Sequence, residues 1–275
     1  MLNMDMQGTP PMTKPPPPLS GPPPPEVPLP RAPLVRVLAQ IRFPAILAIR
    51  NPDNVATFQE AIRPNYPLLQ EDRVHHVVLP TAGEPEIKEG VIWRFRSRDD
   101  NWRVSLGIDF IALETKAYHS REDFLDRFRI VVGKVESAFN PVEAQRLGIR
   151  YIDRIVAPDV NRIAELVKSE VLGVALADIS RTARYIMTQT HLEAEEGDIQ
   201  ARWGHFPAGA TFDPEAIEPI DEASWILDLD MATQQSQDFT VDGLLATATG
   251  FAERIYTVFR WMVTDEFLRC YGGNP

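Results

Sequence analysis

The chain has little cysteine and no long apolar run. Its 275 residues contain one cysteine, Cys270, which excludes an internal disulfide and any all-thiolate metal or iron–sulfur centre within one chain. A single thiol fits a reducing cytoplasm, where we expect the protein to act. No apolar run approaches the roughly 20 residues that span a bilayer, and the N-terminal residues lack the basic-then-apolar pattern of a secretory signal. We therefore expect no membrane partner.

Basic residues are outnumbered as well. The chain carries 28 lysines and arginines against 39 acidic residues, and its formal net charge is -11. Such a surface repels nucleic acid unless its basic residues are gathered on one face, so we expect no nucleic-acid partner. The densest basic group crosses one predicted hairpin, where strand alternation puts Arg94, Arg96 and Arg98 on one face and Arg103 lies on the next strand. This group is either the solvated face of a half-buried sheet or an anion-binding patch.

Aromatic residues are absent from the first 33 residues, which hold 13 of the 25 prolines. Such a segment cannot bury enough apolar surface to offset the entropy cost of ordering it. We predict that residues 1–33 form a disordered or extended polyproline tail and that the folded part begins near Pro33 and Leu34. The tail is either a spacer or a strip that docks in an aromatic-lined groove of a partner protein.

The rest of the chain repeats one order of elements. An apolar strand through Ile41 is followed by Pro52 and a helical pattern, and a second apolar strand through Ile149 is followed by Pro158 and another helical pattern. A Pro-Asp pair precedes each of the two helical patterns. The two stretches therefore read as two copies of a strand–helix unit.

Each unit continues in the same way. Trp102 opens a strand-like run that leads to a long amphipathic helix, and Trp225 opens a second run that leads to another. Each half thus reads as one strand, one helix, three strands and one long helix. The sequence predicts a single α+β domain made of two repeats, residues 34–140 and 141–275.

Local signals set the predicted element boundaries. Ser120 is a helix N-cap followed by acidic residues, and the last helix carries an apolar stripe that extends to Phe267. Residues 102–118 read as one strand. Residues 147–156 read as a strand that alternates up to Tyr151 and then contains a bulge.

Two such units pack most economically as one continuous antiparallel sheet with pseudo-two-fold symmetry. Both long helices then bury their apolar stripes on one face of the sheet, and the other face is left as an open, curved groove. This order of elements is similar to the saddle-shaped duplicated fold of TATA-binding proteins and to other duplicated α+β ligand-binding domains. The resemblance concerns architecture alone, because a fold does not fix a function.

Five segments carry a second resemblance: Pro30-Arg31-Ala32-Pro33-Leu34-Val35, Asn101-Trp102-Arg103-Val104-Ser105-Leu106, Ala112-Leu113-Glu114-Thr115, Leu147-Gly148-Ile149-Arg150-Tyr151-Ile152 and Thr264-Asp265-Glu266. They resemble signature segments of a sporadically distributed family of uncharacterised bacterial proteins of about 250–270 residues that has no assigned activity. The resemblance covers residues 30–270 and implies a bacterial, cytoplasmic protein, with no cofactor or site residue to carry over. The patchy distribution implies an accessory system, such as defence against phage. The long proline-rich tail departs from the short N-terminus usual in the family.

Catalytic motifs are missing from the sequence, which has no phosphate-binding glycine loop, nucleophile elbow or metalloprotease pattern. His191 and Glu193 share a face of one predicted strand and His205 lies on the next, so the three are either a divalent-metal trio or ordinary polar positions. Trp93 and Trp203 also lie on predicted strands. They are either core residues or the lining of a groove for a flat or apolar ligand.

These observations favour a non-enzymatic binding or assembly protein that acts through protein–protein contacts and needs no cofactor. The contact is made either by the uncovered sheet face or by the proline-rich tail. The candidate ligand-binding residues are Arg94, Arg96, Arg103, Trp93 and Trp203. The alternative is a hydrolase or nucleotide-processing enzyme that uses polar residues on the same sheet face. A homo-oligomer is left open.

Overall fold

The computed structural model describes residues 19–78 and 86–275, and its centre is one nine-stranded antiparallel sheet. The strands are β1 (Leu34–Arg42), β2 (Leu68–Val78), β3 (Glu86–Arg96), β4 (Trp102–Gly107), β5 (Phe110–Thr115), β7 (Arg146–Ile155), β8 (Ile186–Ala194), β9 (Gly197–Phe206) and β10 (Ser224–Ala232). Their spatial order is β2-β3-β4-β5-β1-β7-β10-β9-β8. Two short strands, β6 (Glu143–Ala144) and β11 (Gln237–Asp238), pair apart from this sheet.

Among the described residues, two long α-helices and four shorter ones accompany the sheet. They are α1 (Pro52–Ile62), α2 (Arg121–Phe139), α3 (Ile163–Leu166), α4 (Ser169–Leu172), α5 (Val241–Met262) and α6 (Asp265–Cys270). Within the described residues, none of these helices combines the length and the apolar character that crossing a membrane requires.

Side-chain oxygens fix the starts of two helices. The Ser120 hydroxyl accepts a hydrogen bond from the Asp123 amide at 3.1 Å, which confirms the predicted N-cap of α2. The Thr264 hydroxyl accepts from the Phe267 amide at 3.2 Å and caps α6. The helix is therefore interrupted between α5 and α6. The prediction of a single last helix that extends to Phe267 is wrong, although Phe267 itself is buried as predicted.

Side-chain alternation divides the sheet into a helix face and an open face. On β1, Val37, Ala39 and Ile41 are fully buried on the helix face, whereas Leu38 and Gln40 lie on the open face. Helices α2 and α5 pack against each other and against the helix face, and their apolar stripes join one core with the sheet. Each fully buried aliphatic side chain contributes about 1.5–3 kcal/mol. The predicted continuous antiparallel sheet is confirmed.

Residues 102–118 contain two strands rather than the single strand predicted. Strands β4 and β5 pair as a hairpin with Gly107 opposite Phe110, around the two-residue turn Ile108-Asp109. This turn lacks the Asn-Gly or Asp-Gly pair that marks a tight hairpin in a sequence, and the run therefore reads as continuous. In the described part of the chain, the first half has four sheet strands after its first helix, and the second half has three.

Strand β7 keeps its alternation throughout, so the bulge predicted after Tyr151 is wrong. It pairs with β10 in unbroken register from Gly148 to Ile155. Asp153 consequently lies on the helix face between Tyr151 and Ile155, and it is only 5% exposed. The polar residue that suggested a bulge is a buried carboxyl group.

The described part of the proline-rich tail lies along α5. Residues 1–18 are outside the described part of the chain, and the rest of the tail contains no helix or strand. The Val27 amide donates to the Tyr256 hydroxyl at 2.8 Å, and Arg254 donates to the Gly21 carbonyl at 3.0 Å. These bonds satisfy backbone groups that the prolines leave without a ladder partner, and they tie this part of the tail to the folded domain.

Candidate functional site

A groove crosses the open face of the sheet over the strands of the first half. Its volume is about 890 Å³ and its floor extends from β2 to β7. Residues 207–223, which have no helix or strand, form one wall and are called the cover loop below. The open groove is defined by these floor side chains: Arg36, Gln40, Arg94, Arg103, Glu114 and Arg150.

Arginines on the floor of the open groove have acidic partners. Arg94 on β3 pairs with Asp72 on β2, and Arg103 on β4 pairs with Glu114 on β5. Arg103 and Glu114 are direct cross-strand neighbours, a position in which opposite charges stabilise a sheet. The complete lining of the groove contains six cationic and five acidic side chains and is therefore nearly neutral, in contrast to the acidic chain as a whole.

Arg36 connects the floor to the cover loop. It is 9% exposed, and its guanidinium lies 3.6 Å from the Glu114 carboxylate. The same guanidinium donates to the backbone carbonyl of Glu215, in the cover loop, at 3.0 Å. A buried guanidinium must keep such partners, because an unpaired buried charge is costly. Arg36 thus holds the middle of the cover loop against β1.

An ion-pair network anchors the cover loop to the second half of the sheet. Asp228 on β10 is fully buried and accepts from the Nε atoms of Arg150 at 2.7 Å and of Arg202 at 2.8 Å. Arg150 also donates to Asp213 of the cover loop at 2.8 Å. Two carboxylates balance two guanidiniums, and every member has a charge-assisted hydrogen bond.

Charge and packing both hold the cover loop in place. Burial opposes ionisation of Asp213, but the hydrogen bond and charge of Arg150 outweigh it and hold the pKa of Asp213 below its ordinary value. The Arg202 guanidinium lies 4.6 Å from the centre of the Phe212 ring, within cation–π range. Ile217 of the loop packs in a small apolar cluster with Ile152, Phe206 and Ile226 of the sheet. The cover loop is therefore a fixed wall.

The structure brings together three of the five predicted ligand-binding residues. Arg94, Arg96 and Arg103 all line the open groove. The Arg96 guanidinium lies 2.8 Å from the Asp100 carboxylate. Arg98 was expected on the same strand face, but β3 ends before it and its side chain is exposed in the following turn.

Trp93 and Trp203 lie on the helix face, which corrects their assignment to the groove. Trp93 is 5% exposed and donates its indole N–H to the Ile49 carbonyl at 2.8 Å. Trp203 is 9% exposed and donates to the Val171 carbonyl at 2.8 Å. Both indoles are buried with their polar atom satisfied, as core tryptophans usually are.

The proposed metal trio of His191, Glu193 and His205 is not assembled. His191 is opposite Gln200 while His205 is opposite Ile186, so five positions, about 17 Å, separate the two histidines along the sheet. An odd number of positions also puts them on opposite faces. Burial lowers the pKa of His205. Among the described residues, no group of three or more metal-ligating side chains is arranged to hold an ion.

The sequence did not identify four residues of the site: Arg36, Arg150, Arg202 and Asp228. One signal was present, because Arg150 and Asp228 are charged residues within predicted strands that are mostly apolar. Charges in central strands need compensation. They therefore indicate a cluster of opposite charges, although the sequence does not say which strands are neighbours.

No protein-family model matches the chain, and no curated protein sequence matches it at a significant level. What the site can bind is therefore inferred from its own side chains. They form a polar groove, compensated in charge and walled on one side, which suits a ligand that carries both signs of charge.

Proposed function

We propose that this protein is a non-enzymatic binding protein whose open groove holds an extended segment of a protein partner. The observation that carries the proposal is the pairing of floor arginines with acidic residues across neighbouring strands. A ligand of one charge sign satisfies only one member of each pair and leaves the other unpaired. A polypeptide with acidic and basic side chains can exchange these partners one for one.

The dimensions of the groove support a polypeptide. Six adjacent strands at a spacing of about 4.8 Å give a floor of about 24 Å, the length of roughly seven residues of extended chain. The floor carries charged side chains among apolar ones and is open on one side, unlike the mostly apolar and enclosed pockets that hold small molecules. The fixed cover loop gives such a segment a wall to lie against.

Nucleic acid is the less favoured ligand of the same groove. The chain carries a net charge of -11, and Asp72, Asp100 and Glu114 lie among the groove arginines. Nucleic-acid affinity depends on releasing counterions from phosphates through unpaired basic groups. Arginines that already hold carboxylates supply little of that gain.

The finer architectural and family assignments belong to the same proposal. We infer that the two halves are a duplicated unit related by a pseudo-two-fold axis, and that the chain is a cytoplasmic member of the sporadic bacterial family, acting in an accessory system. The strand order supports the duplication, because β1 and β7 are central neighbours and the last sheet strand of each half, β5 or β10, lies next to them. A superposition of residues 34–139 on residues 147–267 tests it, and unrelated topologies would reject it.

Site-specific photo-crosslinking in cells tests the binding proposal. A benzophenone amino acid is placed at Gln70, an exposed residue at the groove rim, and in a separate chain at Ala246, an exposed residue of α5. We expect one defined partner to crosslink from position 70 and not from position 246. The crosslink should disappear when Arg103→Glu puts a second negative charge beside Glu114.

Two outcomes would reject a groove-bound partner. One is the same crosslinked species from both positions, which indicates collision without a site. The other is a position-70 crosslink that survives Arg103→Glu in a chain whose melting temperature is unchanged. Crosslinking to nucleic acid from position 70 would favour the competing ligand.

A further inference from the structure

A second cavity lies on the helix face, on the opposite side of the sheet from the open groove. Its volume is about 680 Å³, and it lies between β7, the start of α2 and α5. The tail segment 26–30 forms one wall, so we call it the tail cavity. The residues that line it include His119, which is exposed, and Leu229 and Asp153, which are buried.

Asp153 is the unpaired charge of the tail cavity. It is 5% exposed, and its carboxyl group has no hydrogen bond or ion pair with any residue that the structure describes. The two cations that line the cavity are already paired, Arg121 with Glu26 at 3.1 Å and Lys116 with Glu218 at 3.2 Å. A buried carboxyl without a partner is costly, and here it lines an accessible space.

Aromatic and aliphatic side chains surround the rest of the tail cavity. The rings of Tyr118 and Tyr151 meet edge to face with their centres 5.6 Å apart. Tyr256 and Ile255 of α5 and the buried Leu229 of β10 complete the apolar lining. Tyrosine rings attract cations through their negative faces, and the aliphatic groups suit a hydrocarbon body.

We propose that the tail cavity binds a small organic amine, with its ammonium group against Asp153 and its apolar body against the tyrosines and Leu229. A protonated amine supplies the donor and the charge that the buried carboxyl lacks. The cavity volume is within the range of small-molecule sites, and its mostly apolar lining with one polar anchor is the usual form of such sites. This inference stands apart from the open groove and does not rest on it.

Other ligand classes fit the tail cavity less well. An anion is repelled by the ionised Asp153, and the cations near it already hold carboxylates. A hard metal ion needs several oxygen ligands, and within residues 19–78 and 86–275 no cluster of three suitable side chains exists. A neutral alcohol can donate a hydrogen bond but leaves the charge uncompensated.

The proposal implies a coupling between amine binding and pH. Burial raises the pKa of Asp153 to about 7, so the free carboxyl is mostly protonated at pH 6 and mostly ionised at pH 8. The ammonium group binds the ionised form, and affinity should therefore be about tenfold higher at pH 8 than at pH 6. The other titratable groups that face Asp153 or line the cavity are Glu26, Lys116, Tyr118, His119, Arg121, Tyr151, Tyr256 and Tyr271.

Isothermal titration of the full chain with 2-phenylethylamine and with hexylamine tests the proposal. We expect saturable binding of at least one amine at pH 8, about tenfold weaker binding at pH 6, and no measurable heat with 2-phenylethanol. Asp153→Asn should lose at least tenfold in affinity and remove the pH dependence. The control Asp178→Asn, at a carboxylate that is 95% exposed, should bind as the parent does.

His119 also lines the cavity, at its exposed rim, so His119→Gln is tested in parallel and should keep the pH dependence. The proposal is overturned if neither amine binds, if the alcohol binds as tightly as the amine, or if Asp153→Asn binds like the parent. Loss of the pH dependence in His119→Gln alone would also overturn it.

Discussion

Asp228 and Arg150 form a buried ion pair in the middle of the sheet, with Arg150 Nε 2.7 Å from Asp228 Oδ1. Asp228 on β10 is fully buried, and Arg150 on the adjacent β7 is 12% exposed. The same carboxylate accepts from Arg202 on β9 at 2.8 Å. One carboxylate therefore links three adjacent strands and, through Arg150, the cover loop. Charge as well as apolar packing holds the centre of the open face.

The first prediction concerns this carboxylate. Asp228→Asn removes the negative charge between two largely buried guanidiniums and should lower the free energy of unfolding by about 3–5 kcal/mol. Urea denaturation measures the change. Asp178→Asn, which alters an exposed carboxylate, should stay within about 0.5 kcal/mol of the parent. Equal midpoints for the two variants would show that Asp228 does not compensate the arginines.

The second prediction separates the cover loop from the sheet. Asp213→Ala removes the loop's bond to Arg150 and should speed hydrogen exchange within residues 207–223, while global stability falls by only about 1–2 kcal/mol. Glu215→Ala is the matched control, because Arg36 binds the backbone carbonyl of residue 215 rather than its side chain. Unchanged exchange in Asp213→Ala, or equal changes in both variants, would contradict the assigned anchor.

The third prediction is a pH dependence of stability set by Asp153. Its pKa rises on folding from 3.8 to about 7, so the folded state binds the proton more tightly than the unfolded chain. This contribution is fully present below about pH 4 and is lost as the pH rises towards 7. The free energy of unfolding of Asp153→Asn, relative to that of the parent, should therefore rise by about 3–4 kcal/mol as the pH increases from 4 to 8. A difference in melting temperature that stays constant across this range would refute the assignment.

The fourth prediction concerns the tail. A freely disordered tail is cleaved rapidly, whereas the contacts of Arg31 with Cys270 and of Val27 with Tyr256 predict slow tryptic cleavage after Arg31. Tyr256→Phe removes the hydroxyl that accepts from Val27, and should speed this cleavage several-fold while costing about 1 kcal/mol of global stability. Fast cleavage of the parent at Arg31 would instead support the disorder predicted from the proline content.

Elements with strong local signals could be predicted from the sequence. The strand at β10 alternates between Trp225, Leu227 and Leu229 on the helix face and the acidic residues Asp228 and Asp230 on the open face, as expected. The apolar periodicity of the long helices likewise identified buried residues correctly, because the apolar face of an amphipathic helix is the face that packs against the core.

Features that depend on neighbouring strands could not be predicted. Arg36 meets Glu114, and Arg150 meets Asp228, only because strands far apart in the chain become adjacent in the sheet. Asp153 shows a different limit. A polar residue in an apolar alternation suggests a bulge, and only the unbroken pairing of β7 with β10 shows that the carboxyl group is buried.

The central claim is that the open groove binds a polypeptide, and the affinity of the crosslinked partner for groove variants tests it most directly. At about 0.15 M salt, Arg103→Glu should weaken partner binding by at least tenfold, or about 1.4 kcal/mol. Arg129→Glu, on the exposed side of α2, should leave it unchanged. Duplex DNA should neither bind nor compete. Equal affinities of the two variants for the partner, or salt-sensitive DNA binding that Arg94→Glu abolishes, would contradict the account.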